Sequence, residues 1–137
     1  MNEENETGLS FPEIREIQAA YFYLRRLENV ADDTGTREEL FSSLDQIAAL
    51  ATKVKAQIDA YLKEFTGKEL IDFDDGHAFD IDEKLAEVFD NAFYTDKESL
   101  SDDELRKRVE RARIVASGLP ALIALLASET SIKSSLG

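Results

Sequence analysis

The longest regular pattern of apolar residues in this chain runs from Thr36 to Phe65. Its members follow one another in alternating steps of four and three residues: Leu40, Leu44, Ile47, Ala51, Val54, Ile58, Tyr61 and Phe65. This spacing keeps one side of an α-helix in contact with a partner helix. A helix of about 30 residues is ~45 Å long. The sequence therefore predicts a helical bundle built around one long central helix.

The residues before the central helix predict a first helix over residues 10–31. Ser10 and Glu13 have the spacing of a capping box, and Pro12 lies in the first turn, where its missing N–H is not needed. Three aromatic residues follow one another inside this helix, and because each step turns by roughly 100° they cannot all face the core. Phe22 points away from the buried side. We expect either a second neighbour to cover it or another molecule to contact it.

Local signals also mark the ends of the later helices. Thr36 with Glu39 starts the central helix, and Ser101 with Glu104 starts a fourth helix. Gly67 is expected to end the central helix in the left-handed conformation.

The segment between these helices breaks the helical pattern at about residues 69–82. Apolar and acidic residues alternate there around a turn at 74–76, which predicts a short loop or a β-hairpin. Asp80 and Glu83 then have the spacing of a helix start, so we expect a third helix from Asp80 to about Tyr94.

The end of the chain predicts a final buried helix. Gly118 and Pro120 stop or kink the fourth helix, because proline disfavours helical geometry in the residue before it. Residues 121–127 are apolar on all sides. The prediction is an all-α bundle of four to five helices in one domain, residues 10–128, between a disordered N-terminus (1–9) and a frayed tail (129–137).

The charge of the chain is concentrated in one segment. The net charge is −13, of which residues 69–104 contribute −12 from 14 acids and 2 bases. Residues 105–137 carry 2 acids and 6 bases, a net +4. We expect the basic segment to lie beside the acidic one and to pair with part of it. The field of the remaining acids repels nucleic acid and anionic membranes and attracts basic partners.

Several classes of function are disfavoured by what the sequence lacks. There is no cysteine, a single histidine and no glycine-rich phosphate loop or nucleophile motif. We therefore predict a protein that is not an enzyme, holds no cofactor and does not bind nucleic acid directly. The first residues do not form a signal peptide, and the longest apolar stretch is shorter than the roughly 20 residues of a membrane span. The prediction is a cytoplasmic protein without membrane contact.

The favoured function is docking of a basic protein surface by the acidic segment. The predicted partner-binding residues are Asp72, Asp74, Asp75, Asp80, Asp82, Glu83, Glu87, Asp90 and Tyr94. Such a protein acts as an accessory, assembly or inhibitor protein. A row of fixed acids can also occupy a site built for a phosphate backbone, as in the class of small nucleic-acid-mimicking inhibitors that includes phage proteins.

Two alternatives use the same acids for a metal ion. Asp72, Asp74, Asp80 and Glu83 resemble the spacing of a Ca²⁺ or Mg²⁺ loop, but the glycine of that pattern comes one position early. Glu87 and Asp90 form half of the Mg²⁺ site of an all-helical nucleotide pyrophosphohydrolase. The other half would come from an acid pair on a facing helix, for which the sequence offers only residues 13 and 16.

Two further expectations concern His77 and the oligomeric state. His77 lies among Asp74, Asp75 and Asp80 in the chain, and we expect these carboxylates to surround it. The central helix is longer than the first helix by about ten residues, or ~15 Å. The apolar residues beyond that point need cover from the last helices or from a second subunit, so a homodimer is a possible state.

Overall fold

The computed structural model describes residues 15–30, 35–93 and 99–136, with side chains up to Glu129. The helices in these ranges are α1 (Arg15–Glu28), α2 (Arg37–Thr66), α3 (Gly76–Ala92), α4 (Asp102–Ser117) and α5 (Leu119–Leu136). One residue, Gly118, separates α4 from α5, so the described part has five helices, or four if this pair is counted as one. The predicted all-α bundle of four to five helices is confirmed.

Both predicted ends of the central helix α2 are confirmed. The Thr36 hydroxyl accepts a hydrogen bond from the Glu39 N–H at 3.2 Å, and the Glu39 carboxylate accepts one from the Thr36 N–H at 2.8 Å. Gly67 follows the last turn with a φ of 77°, and its N–H donates to the Lys63 carbonyl. The same reciprocal cap is present at Ser101 and Glu104.

The apolar side of α2 is covered by the rest of the same chain. α1 packs along it, and α3 and α4 pack against other parts of it. Leu40 near one end and Tyr61 near the other are both 0% exposed. The Tyr61 hydroxyl donates to the Ala127 carbonyl at 3.4 Å, which brings α5 over the end that α1 does not reach. Uncovered apolar surface on α2 is therefore no longer a reason to expect a homodimer.

Two aromatic residues of α1 and α2 are exposed, and one of them belongs to a predicted apolar side. Phe65, the last member of the α2 pattern, is 38% exposed because it lies in the final turn, where its ring packs on Tyr61 at 4.8 Å between centroids. Phe22 on α1 is 56% exposed. The predicted start of the first helix and the N-terminal residues 1–9 lie outside the described residues.

Of the two alternatives for residues 69–82, a short loop or a β-hairpin, the hairpin is wrong, because the described residues contain no strand there. Leu70–Asp72 form a 3₁₀ turn, and α3 already begins at Gly76, four residues before the predicted start at Asp80. The physical reason lies in the backbone donors. The Leu70 N–H is bound by the Asp59 carboxylate at 2.8 Å, and the Glu69 N–H by the Asp72 carboxylate at 2.9 Å. Side chains thus satisfy the groups that a second strand would have paired.

The final helix is only partly buried. Leu119, Ile123 and Ala127 of α5 are 0% exposed, but Leu125 is 51% exposed. A helix that packs against neighbours on one side leaves its other side open, although residues 121–127 are apolar all round. The backbone of α5 continues to Leu136, and the fraying expected for the tail stays a prediction.

Among the residues that the structure describes, one stretch is long and apolar enough to cross a membrane. It is Asp102–Glu129, which counts α4 and part of α5 together across Gly118. Length and composition alone select it, and the core helix of a soluble protein meets the same criteria. With Val109, Ile123 and Ala127 fully buried inside the bundle, the stretch is weak evidence for a span.

Candidate partner-binding surface

Four of the predicted partner-binding acids lie along one side of α3. Asp80, Glu83, Glu87 and Asp90 follow one another in steps of three, four and three residues, so they form one row ~15 Å long. Asp80, Glu83 and Asp90 are exposed, and Glu87 is half-buried. We call these four residues the acid row. The buried residues of α3 lie on a different side: Ala78, Ile81, Leu85, Val88 and Ala92.

The acid row borders a shallow depression between α3 and α5. Its volume is about 310 Å³, and it is lined by Asp80, Glu83, Lys84, Glu87 and Leu122. Three carboxylates and one ammonium group therefore share an open, solvated surface. Such a surface can exchange counterions for the lysine and arginine side chains of a partner.

The basic segment pairs with the acid row at one point. The Arg111 side chain of α4 donates to Glu87 Oε2 through Nη2 at 2.7 Å and through Nε at 3.0 Å. Both side chains are about half exposed, so solvent screens the pair and its contribution to stability is at most about 1 kcal/mol. The expected pairing between the two segments thus occurs, and it leaves the other three acids of the row without a described ion pair.

A second arginine of α4 contacts the backbone of α3. Arg108 Nη1 donates to the carbonyls of Asp90, Asn91 and Phe93 at distances of 3.0–3.2 Å. The first two carbonyls lie in the last turn of α3 and the third belongs to the residue that follows it, so no further N–H of the helix is there to bind them. Arg108 therefore fixes the C-terminal end of α3 against α4, and with it the position of Asp90.

The remaining predicted acids do not join the row. Asp82 lies about 140° around α3 from Glu87. Asp72 closes the 3₁₀ turn through its bond to Glu69, and Asp75 is the residue before α3, although its carboxylate receives no capping bond from the described part of that helix. Asp74 is exposed in the loop. Tyr94 lies outside the described residues.

The two metal hypotheses find little geometric support. No three His, Asp or Glu side chains in the described ranges come close enough to hold one metal ion. Asp72 and Asp74 lie before α3, whereas Asp80 and Glu83 lie on it. For the hydrolase, Glu13 is outside the described residues, and α1 and α3 pack mainly on α2 and α4 rather than on each other.

His77 pairs with a different acid from the three that its sequence neighbourhood suggested. Its Nδ1 lies 3.1 Å from Oε1 of Glu129 on α5. Because α3 begins at Gly76, His77 is in the first helical turn and turns toward α5. A contact between residues 52 positions apart has no local signal in the sequence, so sequence reasoning could not have found it.

A second cavity lies beside α1. It has a volume of about 490 Å³, and Tyr21, Phe22, Leu24 and Pro120 supply its apolar lining. Burial raises the pKa of the Tyr21 hydroxyl above its ordinary value. Phe22 is 56% exposed, so no neighbour among the described residues covers it fully, and its contact with another molecule stays a prediction. Its apolar character sets this cavity apart from the acid row.

The chain was compared with protein-family models, with curated proteins and with solved structures, and none of them matches it.

Proposed function

We propose that this protein is a non-enzymatic interaction protein that binds a basic protein surface through the acid row of α3. The observation that supports this proposal most directly is the alignment of Asp80, Glu83 and Asp90 on one exposed side of a helix whose end is fixed by Arg108. Charges on a fixed helix lose less conformational freedom on binding than charges on a loop, so more of their attraction remains as affinity.

The narrower version of the proposal is a protein that imitates nucleic acid. One strand of duplex DNA carries a charge every ~3.4 Å of axis, so ~15 Å of strand carries between four and five. The acid row has four carboxylates over that length, and Arg111 compensates one of them. The charge density is thus lower than that of the backbone it would replace. The broader class, docking of a basic protein surface, fits the acid row better.

The test is to neutralise the acid row without changing its shape. The variant Asp80→Asn, Glu83→Gln, Asp90→Asn removes three negative charges from α3. The matched control Glu38→Gln, Glu64→Gln, Glu110→Gln removes three from exposed positions on α2 and α4. Each protein is immobilised, and the proteins captured from an extract of the native host are compared over a salt series.

The expected result is loss of capture by the acid-row variant alone. With three charge contacts removed, we expect the affinity for the captured partner to fall at least about tenfold and its salt dependence to become shallower, while the control variant behaves as the unmodified chain. Capture that survives in the acid-row variant with the same salt dependence contradicts the proposal. Equal loss in both variants also contradicts it, because net charge alone would then explain binding.

To separate the narrower version, duplex DNA is added to the captured complex. If DNA displaces the partner, then DNA and the acid row compete for one basic site on the partner, as a nucleic-acid mimic requires. A partner that binds DNA and this protein together restricts the function to docking of a basic protein surface.

A further inference from the structure

Another side of α3 carries aromatic residues at the spacing of one helical face. Phe79, Asp82, Ala86, Phe89 and Phe93 follow one another in steps of three and four residues. Such steps keep residues on one face of a helix. This set, which we call the aromatic stripe, is ~21 Å long. Going around the helix, it lies between the buried side of α3 and the acid row.

The aromatic stripe is accessible at its middle and at one end. Phe93 is 58% exposed and Ala86 is exposed, whereas Phe79, Asp82 and Phe89 are half-buried and Phe89 also packs against the core. The rings of Phe89 and Phe93 stack with their centroids 5.8 Å apart and their planes 14° apart. The backbone of Phe93 is held by the Arg108 guanidinium at 3.0 Å. α3 and Phe93, the residue that follows it, thus present a mainly apolar face whose end is fixed, and exposed apolar surface of this kind marks binding sites in folded proteins.

Acids border this stripe on the side of the acid row. Glu83 and Asp90 lie within about 80° of its centre, and Asp82 lies inside it. A face of this composition complements a helix whose own apolar side is edged by lysine or arginine. Ala86 at the middle of the stripe allows the backbone of such a helix to approach closely, because a small residue leaves room between two ridges of side chains.

We propose that the aromatic stripe binds an amphipathic basic helix of the partner protein, so that the partner places its apolar side on Phe79, Phe89 and Phe93 and its basic edge on Glu83 and Asp90. This inference rests on the proposed function and names the form in which the basic surface is presented. The apolar contact supplies affinity and the acids supply orientation and rate of association.

The test uses two labelled peptides of the same composition. One is a helix of about 18 residues with leucine on one side and lysine on the other, long enough to cover the stripe. The other has the same residues in an order without a helical apolar side. Binding of both to the unmodified chain is measured by fluorescence anisotropy at about 0.15 M salt. We expect the amphipathic peptide to bind more tightly than the scrambled one.

Three variants locate the binding face. Phe79→Ser with Phe93→Ser removes the two ends of the stripe, and Ala86→Gln fills its middle at an exposed position without a change of charge. The matched control is Phe22→Ser with Leu125→Ser, two residues that are 56% and 51% exposed on other helices. We expect the stripe variants to bind the amphipathic peptide about tenfold more weakly, near the level of the scrambled peptide, and the control to bind as before. Thermal unfolding followed by circular dichroism verifies that each variant is folded.

The outcomes separate this inference from the proposed function. If both stripe variants keep the preference for the amphipathic peptide, the inference is overturned. If the proposed function holds, the acid-row variant binds both peptides more weakly than the unmodified chain does. If the acid-row variant binds both peptides as tightly as the unmodified chain, the proposed function fails. If the unmodified chain sediments as a dimer and the stripe variants as monomers, a second copy of the chain covers the stripe, and the inference is again overturned.

Discussion

The helices α2 and α3 contain the same number of acids but use them differently. α2 has five acids and four bases in 30 residues, a net −1, and its ends are fixed by a capping box and a left-handed glycine. α3 has five acids and one lysine in 17 residues, a net −4, and its start has no side-chain cap in the described residues. The ends of α2 are marked by its own sequence, and its apolar side is fully buried from Leu40 to Tyr61. Among the described residues the start of α3 is not marked by a side-chain cap, and three of its five acids are exposed. The comparison separates a helix that builds the core from one that presents a surface.

The largest expected effect is on the core around α2. Tyr61→Ala removes a fully buried ring and leaves a cavity where α2 meets α5, so the free energy of unfolding should fall by about 3–5 kcal/mol. Urea unfolding followed by circular dichroism measures it. Tyr61→Phe is the control, because it keeps the ring and removes the hydroxyl, whose hydrogen bond to Ala127 is long at 3.4 Å, and it should cost less than about 1 kcal/mol. Similar losses in both variants would mean that the hydroxyl, and not the ring, holds α5 in place.

The next effect concerns the start of α3. Gly76 has a φ of 82°, a conformation that costs a residue with a side chain about 1–2 kcal/mol. A Cβ at this position would have no atom within 4 Å, so backbone strain alone should lower the stability of Gly76→Ala by that amount. Gly76→Asn should lose less, since asparagine tolerates this region better. Unfolding in urea compares the two. Equal stability of Gly76→Ala and the unmodified chain would show that α3 does not begin at this residue.

The caps give a direct contrast between the two helices. Thr36→Ala removes a capping hydrogen bond to α2 and should lower the free energy of unfolding by about 1 kcal/mol. Asp75→Ala at the corresponding position of α3 should cost clearly less, because its carboxylate makes no cap bond within the described residues. Melting temperatures of the two variants decide the point. If Asp75→Ala is as destabilising as Thr36→Ala, the start of α3 is held by its own cap after all.

The smallest effect is on the ion pair between α3 and α4. Arg111→Gln removes the partner of Glu87, and we expect a loss of less than about 1 kcal/mol, smaller still at high salt, because both side chains are about half exposed. Lys107→Gln, an exposed base on the same helix, is the control for net charge. The loss of stability relative to the unmodified chain is measured at low and at high salt. This loss should change more with salt for Arg111→Gln than for Lys107→Gln. The opposite order would show that this ion pair is not the main link between the segments.

Sequence reasoning located α2 almost to the residue because its start, its end and its apolar period all come from residues close together in the chain. The same holds for the cap at Ser101 and for the break at Gly118. Two features place the start of α3 before Asp80. The Asp59 carboxylate on α2 accepts a hydrogen bond from the Leu70 N–H, and Gly76 adopts a left-handed conformation that permits the helix to start early. Neither feature is marked by a regular spacing of residues in the sequence.

For the candidate surface, the sequence indicated an acidic segment but not which of its acids share one side of α3. The spacing of the acids places Asp80, Glu83, Glu87 and Asp90 in one row only once α3 is known to include them all. Asp82 falls on another side for the same reason. The pairing of Glu87 with Arg111, and of His77 with Glu129, depends on how α4 and α5 cross α3. Those crossings follow from packing of the whole bundle, which periodicity does not specify.

The contact of Arg108 with the end of α3 has a consequence for the electric field of this helix. Unpaired carbonyls at the end of a helix amount to about half a negative charge, which would add to the field of the nearby carboxylates. The cation of Arg108 compensates that charge. The electric field of α3 is therefore mainly the sum of the separate contributions of its carboxylates. Each substitution or protonation of an acid changes it in a step of similar size, so the strength of this surface can be adjusted without alteration of the fold beneath it.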